Sequence, residues 1–375
     1  MHRIAVDARP LNQKFNGIGE YLFQVLDHLL TEDTPSAPHW LLYSDQPISL
    51  PSHWQRVSNR SGISSNRVMG AVRAQLQFGR WAVEDEATLY WSPRHQLPFG
   101  LPRTLPTVVT LHDLVFRLYP QTMSFSGRWY DALLTPRALK RAQSIITTSQ
   151  SVNAELAALY PQCESKSHPI TLSSTLSPMT TDQLPRSRPY AIFCGTMEPR
   201  KNLDRLIHAI AKLNSTRKQA IELVIVSGSG WKNKSTLNLI KSNESFIDYR
   251  PSAPTEEKTF LIQNATCLVL PSLYEGFGLP IVEAQRLGVP VLTSNRGAMR
   301  ELAGAGALLI DPMNEADIGQ GLARFFDDPE LRNALAAQAS KLGHTHSWSR
   351  TAQLTLKVLS NAGVTGAGMP AQPKR

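Results

Sequence analysis

Short runs of aliphatic, β-branched and aromatic residues alternate along this chain with longer segments whose apolar positions recur at helical spacing. In the first half the strand candidates are Arg3–Val6, Trp40–Tyr43, Thr88–Trp91, Thr107–Leu111 and Ser144–Thr147. In the second half they are Tyr190–Cys194, Glu222–Val226, Cys267–Leu270, Val289–Leu292 and Ala307–Ile310. Helices are predicted over Gly19–Leu30, Asn66–Val83, Ser126–Ala142, Ser151–Leu159, Asn202–Leu213, Thr255–Asn264, Pro280–Leu287 and Glu315–Phe326. Strand and helix in repeated alternation give parallel sheets covered by helices on both faces, and strands that are apolar throughout suit that double cover. Residues 164–189 are rich in Ser, Thr and Pro with little periodicity and read as a link between two α/β domains. The tail from Asn361, built from Gly, Ala, Pro, Gln and Lys, is predicted to be disordered. No repeat of the solenoid type is found.

Composition agrees with this picture. The 375 residues suit two domains, and 42% hydrophobic with 18% charged residues excludes disorder along the whole chain. Cys163, Cys194 and Cys267 are odd in number and far apart, which is neither a disulfide framework nor a zinc spacing and points to a reducing compartment. No uncharged apolar run reaches the ~18 residues of a membrane span. Asp7 interrupts what would have to be the apolar core of a signal peptide, so a cytoplasmic location is expected.

The net charge of +9 and a pI near 9.5 call for an anionic partner. Nucleic acid is not expected, because no recognition motif or basic face interleaved with aromatics is evident. Two basic amphipathic segments suggest peripheral contact with the anionic cytoplasmic face of the inner membrane. Asn66–Trp81 carries Arg67, Arg73 and Arg80, and Arg128–Arg141 carries Trp129, Tyr130, Arg137 and Lys140. An ordinary helix with one core face and one solvated face explains each segment separately.

Five constellations sit where strands end, the place at which open α/β sheets bind ligands. Phe15-Asn16-Gly17-Ile18-Gly19 precedes a helix, so its glycines allow close approach and the helix start offers amides to an anion. Leu22 stands where a dinucleotide fingerprint needs a third glycine, and a plain tight turn explains the segment as well. His112-Asp113 follows a strand, so His112 suits a substrate hydroxyl or a shared proton; a hydrogen-bonded strand-end histidine is the plain alternative. Gly195-Thr196-Met197-Glu198-Pro199-Arg200-Lys201-Asn202 places two cations before a helix, suited to a diphosphate or to a solvated turn. Val226-Ser227-Gly228-Ser229-Gly230 is a weaker backbone-contact signal. Pro271 to Ala284 is the strongest segment. Its glycines 276 and 278, Pro280 in the first helical turn and carboxylates Glu275 and Glu283 suit phosphate or sugar oxygens and vicinal hydroxyls. A glycine loop with a helix-start acid is the plain alternative there. Glu84-Asp85-Glu86 is the nearest acidic triplet and reads as a solvated helix end, so no metal and no cofactor are expected.

Taken in order, Gly17-Ile18-Gly19, His112-Asp113, Pro199-Arg200-Lys201-Asn202 and the pair Glu275 and Glu283 with seven residues between them resemble the GT-B retaining glycosyltransferases often called GT4, or glycosyl transferases group 1. The resemblance covers nearly all of residues 3–360 and is most like mannosyltransferases. It implies a GT-B fold: two Rossmann-like doubly wound parallel-sheet domains facing a cleft, with a terminal helix crossing back after His346-Ser347-Trp348. The expected limits are 1–180 for an acceptor-binding domain, 181–345 for a donor-binding domain, 346–361 for the crossover helix and 362–375 for a disordered tail. By the same resemblance Arg200 and Lys201 hold the donor diphosphate. Glu275 binds hydroxyls of the transferred sugar beside the amides of Gly276, Phe277, Gly278 and Leu279. Glu283 binds the ribose, His112 faces the sugar and Gly19 approaches the diphosphate. His112, Arg200, Lys201 and Glu275 form the expected catalytic set, and Gly17, Gly195, Gly228 and Arg250 complete the expected donor contacts. Trp231 departs from the family, whose members often carry an acid after this glycine loop.

The expected function is therefore retaining transfer of a hexose, mannose or a related deoxyhexose, from a nucleoside diphosphate sugar, GDP-linked by general resemblance. The acceptor would be a saccharide or lipid-linked saccharide of lipopolysaccharide O antigen or another surface polysaccharide. A nucleotide-sugar epimerase of the same architecture and a non-catalytic saccharide-binding module are the alternatives.

Overall fold

The computed structural model describes residues 2–12, 17–31, 37–63, 67–180, 188–228 and 230–367. The chain divides into two compact units. One comprises residues 1–114, 129–172 and 348–375, the other residues 115–128 and 173–347. The strand–helix alternation is present in both as a wholly parallel sheet.

In the first unit, β1 (Arg3–Asp7), β2 (His39–Ser44), β3 (Val57–Ser61), β4 (Leu89–Ser92), β5 (Thr107–Leu111), β6 (Ser144–Thr147) and β7 (Ser167–Pro169) lie in the order β3-β2-β1-β4-β5-β6-β7. Its core is aromatic. Phe78 stacks on Trp81 with ring centroids 5.2 Å apart, and both rings also meet Tyr43. In the second unit, β8 (Tyr190–Cys194), β9 (Glu222–Val226), β10 (Ile247–Arg250), β11 (Cys267–Leu270), β12 (Val291–Ser294) and β13 (Ala307–Ile310) lie in the order β10-β9-β8-β11-β12-β13. Every residue of β8, β11 and β12 is buried, as strands covered on both faces require. Caps fix several helix starts: Ser149 Oγ accepts from Val152 N at 3.1 Å, and Asp328 Oδ1 accepts from Leu331 N at 2.9 Å.

Several boundaries differ from those read off the sequence. Strands β3, β7 and β10 have no counterpart among the candidates. All three are sheet edges, where one side faces no neighbour, and their residues are half-buried or exposed apart from Ile247. Helices Lys234–Ser242 and Pro329–Gly343 are likewise additional. Part of the supposed link is structured: residues 161–166 form a short 3-10 helix and Ser167–Pro169 joins the first sheet. Residues 181–187, also assigned to the link, lie outside the described residues. The terminal helix runs over Trp348–Ala367, so the disorder expected from residue 362 does not hold through Ala367; residues 368–375 lie outside the described residues. This helix belongs to the first unit, where it packs on helix Gly17–Leu30, and Thr351 Oγ1 donates to the Thr171 carbonyl at 2.7 Å. The face of this helix that carries Trp348, Ala352, Val358, Leu359 and Ala362 is buried, so packing supports the helix beyond its own propensity.

Cys163, Cys194 and Cys267 are buried free thiols, and burial pushes Cys194 up to about 12. Glu84 and Asp85 are not merely solvated, since Arg60 pairs with both and the Tyr43 hydroxyl donates to Asp85 at 2.9 Å.

Phe193 is fully buried in the middle of β8. Phe193→Ala is expected to lower the stability of the second unit by about 3–5 kcal/mol, read from its urea-unfolding midpoint.

Candidate active site

In each sheet the strand order reverses once, and in the second unit the reversal falls between β8 and β11. The two loops that leave the carboxyl ends of these strands carry the cations and carboxylates singled out above. After β8, Gly195 takes φ +151° and lies beneath the Lys201 side chain. A short 3-10 turn over Pro199–Lys201 then ends at Asn202, whose left-handed backbone (φ 62°) starts the next helix. Asn202 Nδ2 donates to the Pro271 carbonyl at 3.0 Å and the Pro312 carbonyl at 2.7 Å, tying together the loops after β8, β11 and β13.

These constraints bring Arg200 and Lys201 onto Glu275. Arg200 donates to Glu275 Oε2 at 2.6 Å, to the Tyr274 carbonyl at 3.0 Å and to Glu198 Oε1 at 2.8 Å. Lys201 Nζ donates to Glu275 Oε1 at 2.6 Å, and Ser272 Oγ donates to the same oxygen at 2.7 Å. Glu275 is only 5% exposed. Burial alone would raise its carboxyl, but Arg200 and Lys201 outweigh burial and hold it at about 2. Glu198 goes the other way. Burial raises its carboxyl more than Arg200 and Lys201 lower it, and its Oε2 is buried without a hydrogen-bond partner.

Gly278 takes φ +104° at the start of helix Leu279–Arg286, a conformation open to glycine at little cost. Pro280 sits in the first turn, where a missing N–H loses nothing. Along this helix Glu283 Oε1 accepts from Lys258 Nζ at 2.6 Å, while Glu283 Oε2 is buried without a partner. The arrangement can therefore offer an anion two cations and the helix-start amides, and can offer a hydroxyl pair one unused carboxylate oxygen.

The remaining sequence candidates fall in different places. Gly228 accepts from Met197 N at 3.3 Å, and a Cβ on Gly230 would collide with the Met197 carbonyl, so glycine is needed for this close approach. Ser229 lies outside the described residues. Arg250 is not part of the cluster. It stands on edge strand β10, paired with Asp248 at 2.9 Å and Glu257 at 3.5 Å, because the edge of a sheet lies away from its strand-order reversal. Trp231 donates Nε1–H to the Thr122 carbonyl at 2.8 Å, a structural contact within the second unit.

His112, Gly17 and Gly19 belong to the first unit. His112 Nε2 lies 2.8 Å from the Pro93 carbonyl; a carbonyl only accepts, so Nε2 carries the proton. The ring meets Tyr21 edge-on at 5.2 Å, and burial pushes the imidazole down to about 4. The ring is thus held neutral and hydrogen-bonded just after the strand end, with Nδ1 as its acceptor nitrogen. Gly17 and Gly19 open helix Gly17–Leu30, while Phe15 and Asn16 lie outside the described residues. Ser272, Lys258 and the counterion role of Glu198 were not anticipated. Ser272 lies three residues before Glu275 on the same loop, a local signal that was available; Lys258 reaches Glu283 from another element and leaves no such signal.

Residues 181–342 match the family model described as Glycosyl transferases group 1. The O-antigen chain mannosyltransferase B of Escherichia coli is 28% identical over 386 aligned residues, covering 94% of this chain and 98% of that protein. Sucrose-phosphate synthase from Thermosynechococcus elongatus matches the structure with a TM-score of 0.75 at 17% identity, covering 97% of this chain and 100% of the other. Anabaena HepE in complex with UDP and glucose matches with a TM-score of 0.72 at 16% identity, covering 96% and 100%. The fold is thus of the GT-B class. Over residues 181–342 the chain resembles the group 1 glycosyl transferases, and its relatives support glycosyltransferase activity.

Glu275→Gln is expected to leave Arg200 and Lys201 short of their counterion and to cost several kcal/mol of stability at neutral pH, about 3–5 for a broken buried pair. Because the Glu275 carboxyl is depressed from 4.5 to about 2, its contribution is complete above pH 4.5 and is lost as pH falls toward 2. Acid-unfolding curves of the variant should lack that component of the pH dependence.

Proposed function

We propose that this glycosyltransferase moves a mannose or related deoxyhexose, with retention of configuration, from a GDP-linked donor to a saccharide or lipid-linked saccharide of O-antigen or another surface polysaccharide. The observation that carries this reading is the buried Arg200–Lys201–Glu275 cluster at the strand-order reversal of the unit that matches the family. The mannosyltransferase relative, which aligns along nearly the whole chain, supports the sugar and the pathway.

Breaking the bond from the anomeric carbon to phosphate puts positive charge on the sugar ring and negative charge on the departing diphosphate. Arg200 and Lys201 are already oriented by Glu275, so they stabilise that negative charge without reorganising as it forms. Glu283, with one oxygen held by Lys258, presents the other to ribose hydroxyls. His112, neutral and fixed by Pro93, accepts a hydrogen bond from a sugar hydroxyl rather than transferring a proton. Glu275 keeps both oxygens on protein groups, so its part is to hold the cations in place, and sugar hydroxyls would have to share it. The acceptor's proton passes to the departing diphosphate oxygen as the new glycosidic bond forms on the same face.

Among the described residues, no helix is long and apolar enough to cross a membrane. Phe125, Trp129 and Leu133 are 78%, 60% and 74% exposed and four residues apart, hence on one face of helix Phe125–Arg141. Met69, Val72 and Leu76 form a second exposed stripe beside Arg73 and Arg80. Such stripes with basic flanks suit an anionic membrane surface.

Arg200→Ala is expected to lower nucleoside diphosphate release from GDP-mannose by roughly 10²–10³-fold, the effect of removing one preorganised charge stabiliser. Wild-type turnover would sink the donor-site assignment, and a β-linked product by proton NMR would sink retention. In a vesicle-sedimentation assay, replacing Phe125 and Trp129 by serine should reduce binding to phosphatidylglycerol vesicles several-fold; equal sedimentation with neutral lipid would refute the membrane reading.

A further inference from the structure

Residues 115–128 lie in the chain between two stretches of the first unit, yet they belong to the second. The segment is tied within itself. Val115 and Phe116 are buried, and Tyr119 N donates to the Val115 carbonyl at 2.9 Å. Thr122 donates to the Tyr119 carbonyl from N at 3.0 Å and from Oγ1 at 2.7 Å. The segment is also tied to the loop after β9. Trp231 Nε1 donates to the Thr122 carbonyl and Lys232 Nζ to the Gln121 carbonyl, both at 2.8 Å. Trp231 stands where the resemblance would place an acid, and an ionised acid could not make this bond, because a carboxylate only accepts.

Held at this corner, the segment lays the Tyr119 ring on the Tyr274 ring, with centroids 5.4 Å apart and planes inclined by 25°. That is the offset stacking that aromatic pairs prefer. Tyr274 is 4% exposed and Tyr119 is half-buried. Three consecutive residues of the Tyr274 loop hold Arg200. Leu273 N donates to the Arg200 carbonyl at 2.7 Å, and Arg200 Nη1 donates to the Tyr274 carbonyl at 3.0 Å and to Glu275 Oε2 at 2.6 Å. A guanidinium aimed by a short loop is only as steady as that loop. A shift at Tyr274 would move both acceptors of one Arg200 nitrogen together.

We infer that Tyr119 is a positioning residue for the Arg200–Lys201–Glu275 cluster: by stacking on Tyr274 it fixes the loop that aims Arg200. Trp231, through Thr122, keeps Tyr119 in place. The effect of Tyr119 on transfer rests on the proposed function; its effect on the loop does not.

The test uses the full chain and three variants. Tyr119→Leu keeps an apolar side chain without the stack, Tyr119→Phe keeps the stack without the hydroxyl, and Trp231→Phe keeps a ring without the indole N–H. Each is measured for GDP release from GDP-mannose and for hydrogen–deuterium exchange of the amides of residues 271–279. In Tyr119→Leu, kcat should fall roughly 3- to 10-fold, the rate equivalent of one aromatic pair. KM for GDP-mannose should stay within about twofold, because a misaimed cation is missed most where negative charge develops. Exchange at residues 274–276 should be faster. Tyr119→Phe should recover most of both effects, and Trp231→Phe should show part of both. Unchanged kcat or unchanged exchange in Tyr119→Leu would each overturn the inference. So would a raised KM with kcat intact, which would make Tyr119 a substrate contact, or an equal loss in Tyr119→Phe, which would assign the effect to its hydroxyl. Should Tyr119→Leu not fold, Trp231→Phe, at a side chain 37% exposed, reads the same two quantities. If the wild-type protein releases no GDP from GDP-mannose, the donor reading fails, and the exchange of the loop alone decides the role of Tyr119.

Discussion

One carboxylate held between two cations organises the second unit. Glu275 is buried deeply enough that its charge would be prohibitive alone, and the charges of Arg200 and Lys201 would be nearly as costly without it. Each is tolerated because the others are within hydrogen-bond distance. The mutual dependence fixes the loop after β8 against the loop after β11, and Asn202 extends the tie to the loop after β13. The orientation of the two cations is therefore fixed by the fold itself. The same cluster explains why a strongly ionised acid is kept in a buried site: the acid is the scaffold for two cations.

The two units use one winding for different chemistry. At the reversal of the second sheet the cations are tied to a carboxylate below its ordinary range. At the reversal of the first, Arg9 is matched to Asp7, and Arg94 stands near Asp7 and Asp131. His112, at the end of β5, is made neutral by burial and given a fixed tautomer by the Pro93 carbonyl. Two sheets wound alike, of seven and six strands, thus differ in the charged residues beyond their strand ends.

What was readable from the sequence is what depends on neighbours in the chain. Doubly covered strands such as Cys267–Leu270 announce themselves because every position must be apolar, and Gly278 with Pro280 marks a loop-to-helix junction through local backbone preference. Edge strands β3, β7 and β10 escaped because a half-covered strand has no need of that signature. The terminal helix runs through Ala367, and its packing on helix Gly17–Leu30 is a tertiary contact that its own composition does not announce. The candidate residues Arg200, Lys201, Glu275 and Glu283 were legible from loop chemistry and family resemblance. Their arrangement was not. Arg200 and Glu275 lie 75 residues apart, and only the folded sheet decides that they meet while Arg250, equally basic, is left on an edge with Asp248. Periodicity and turn chemistry are properties of adjacent residues. The pairing of buried charges is a property of strand order, and strand order exists only once the chain has folded.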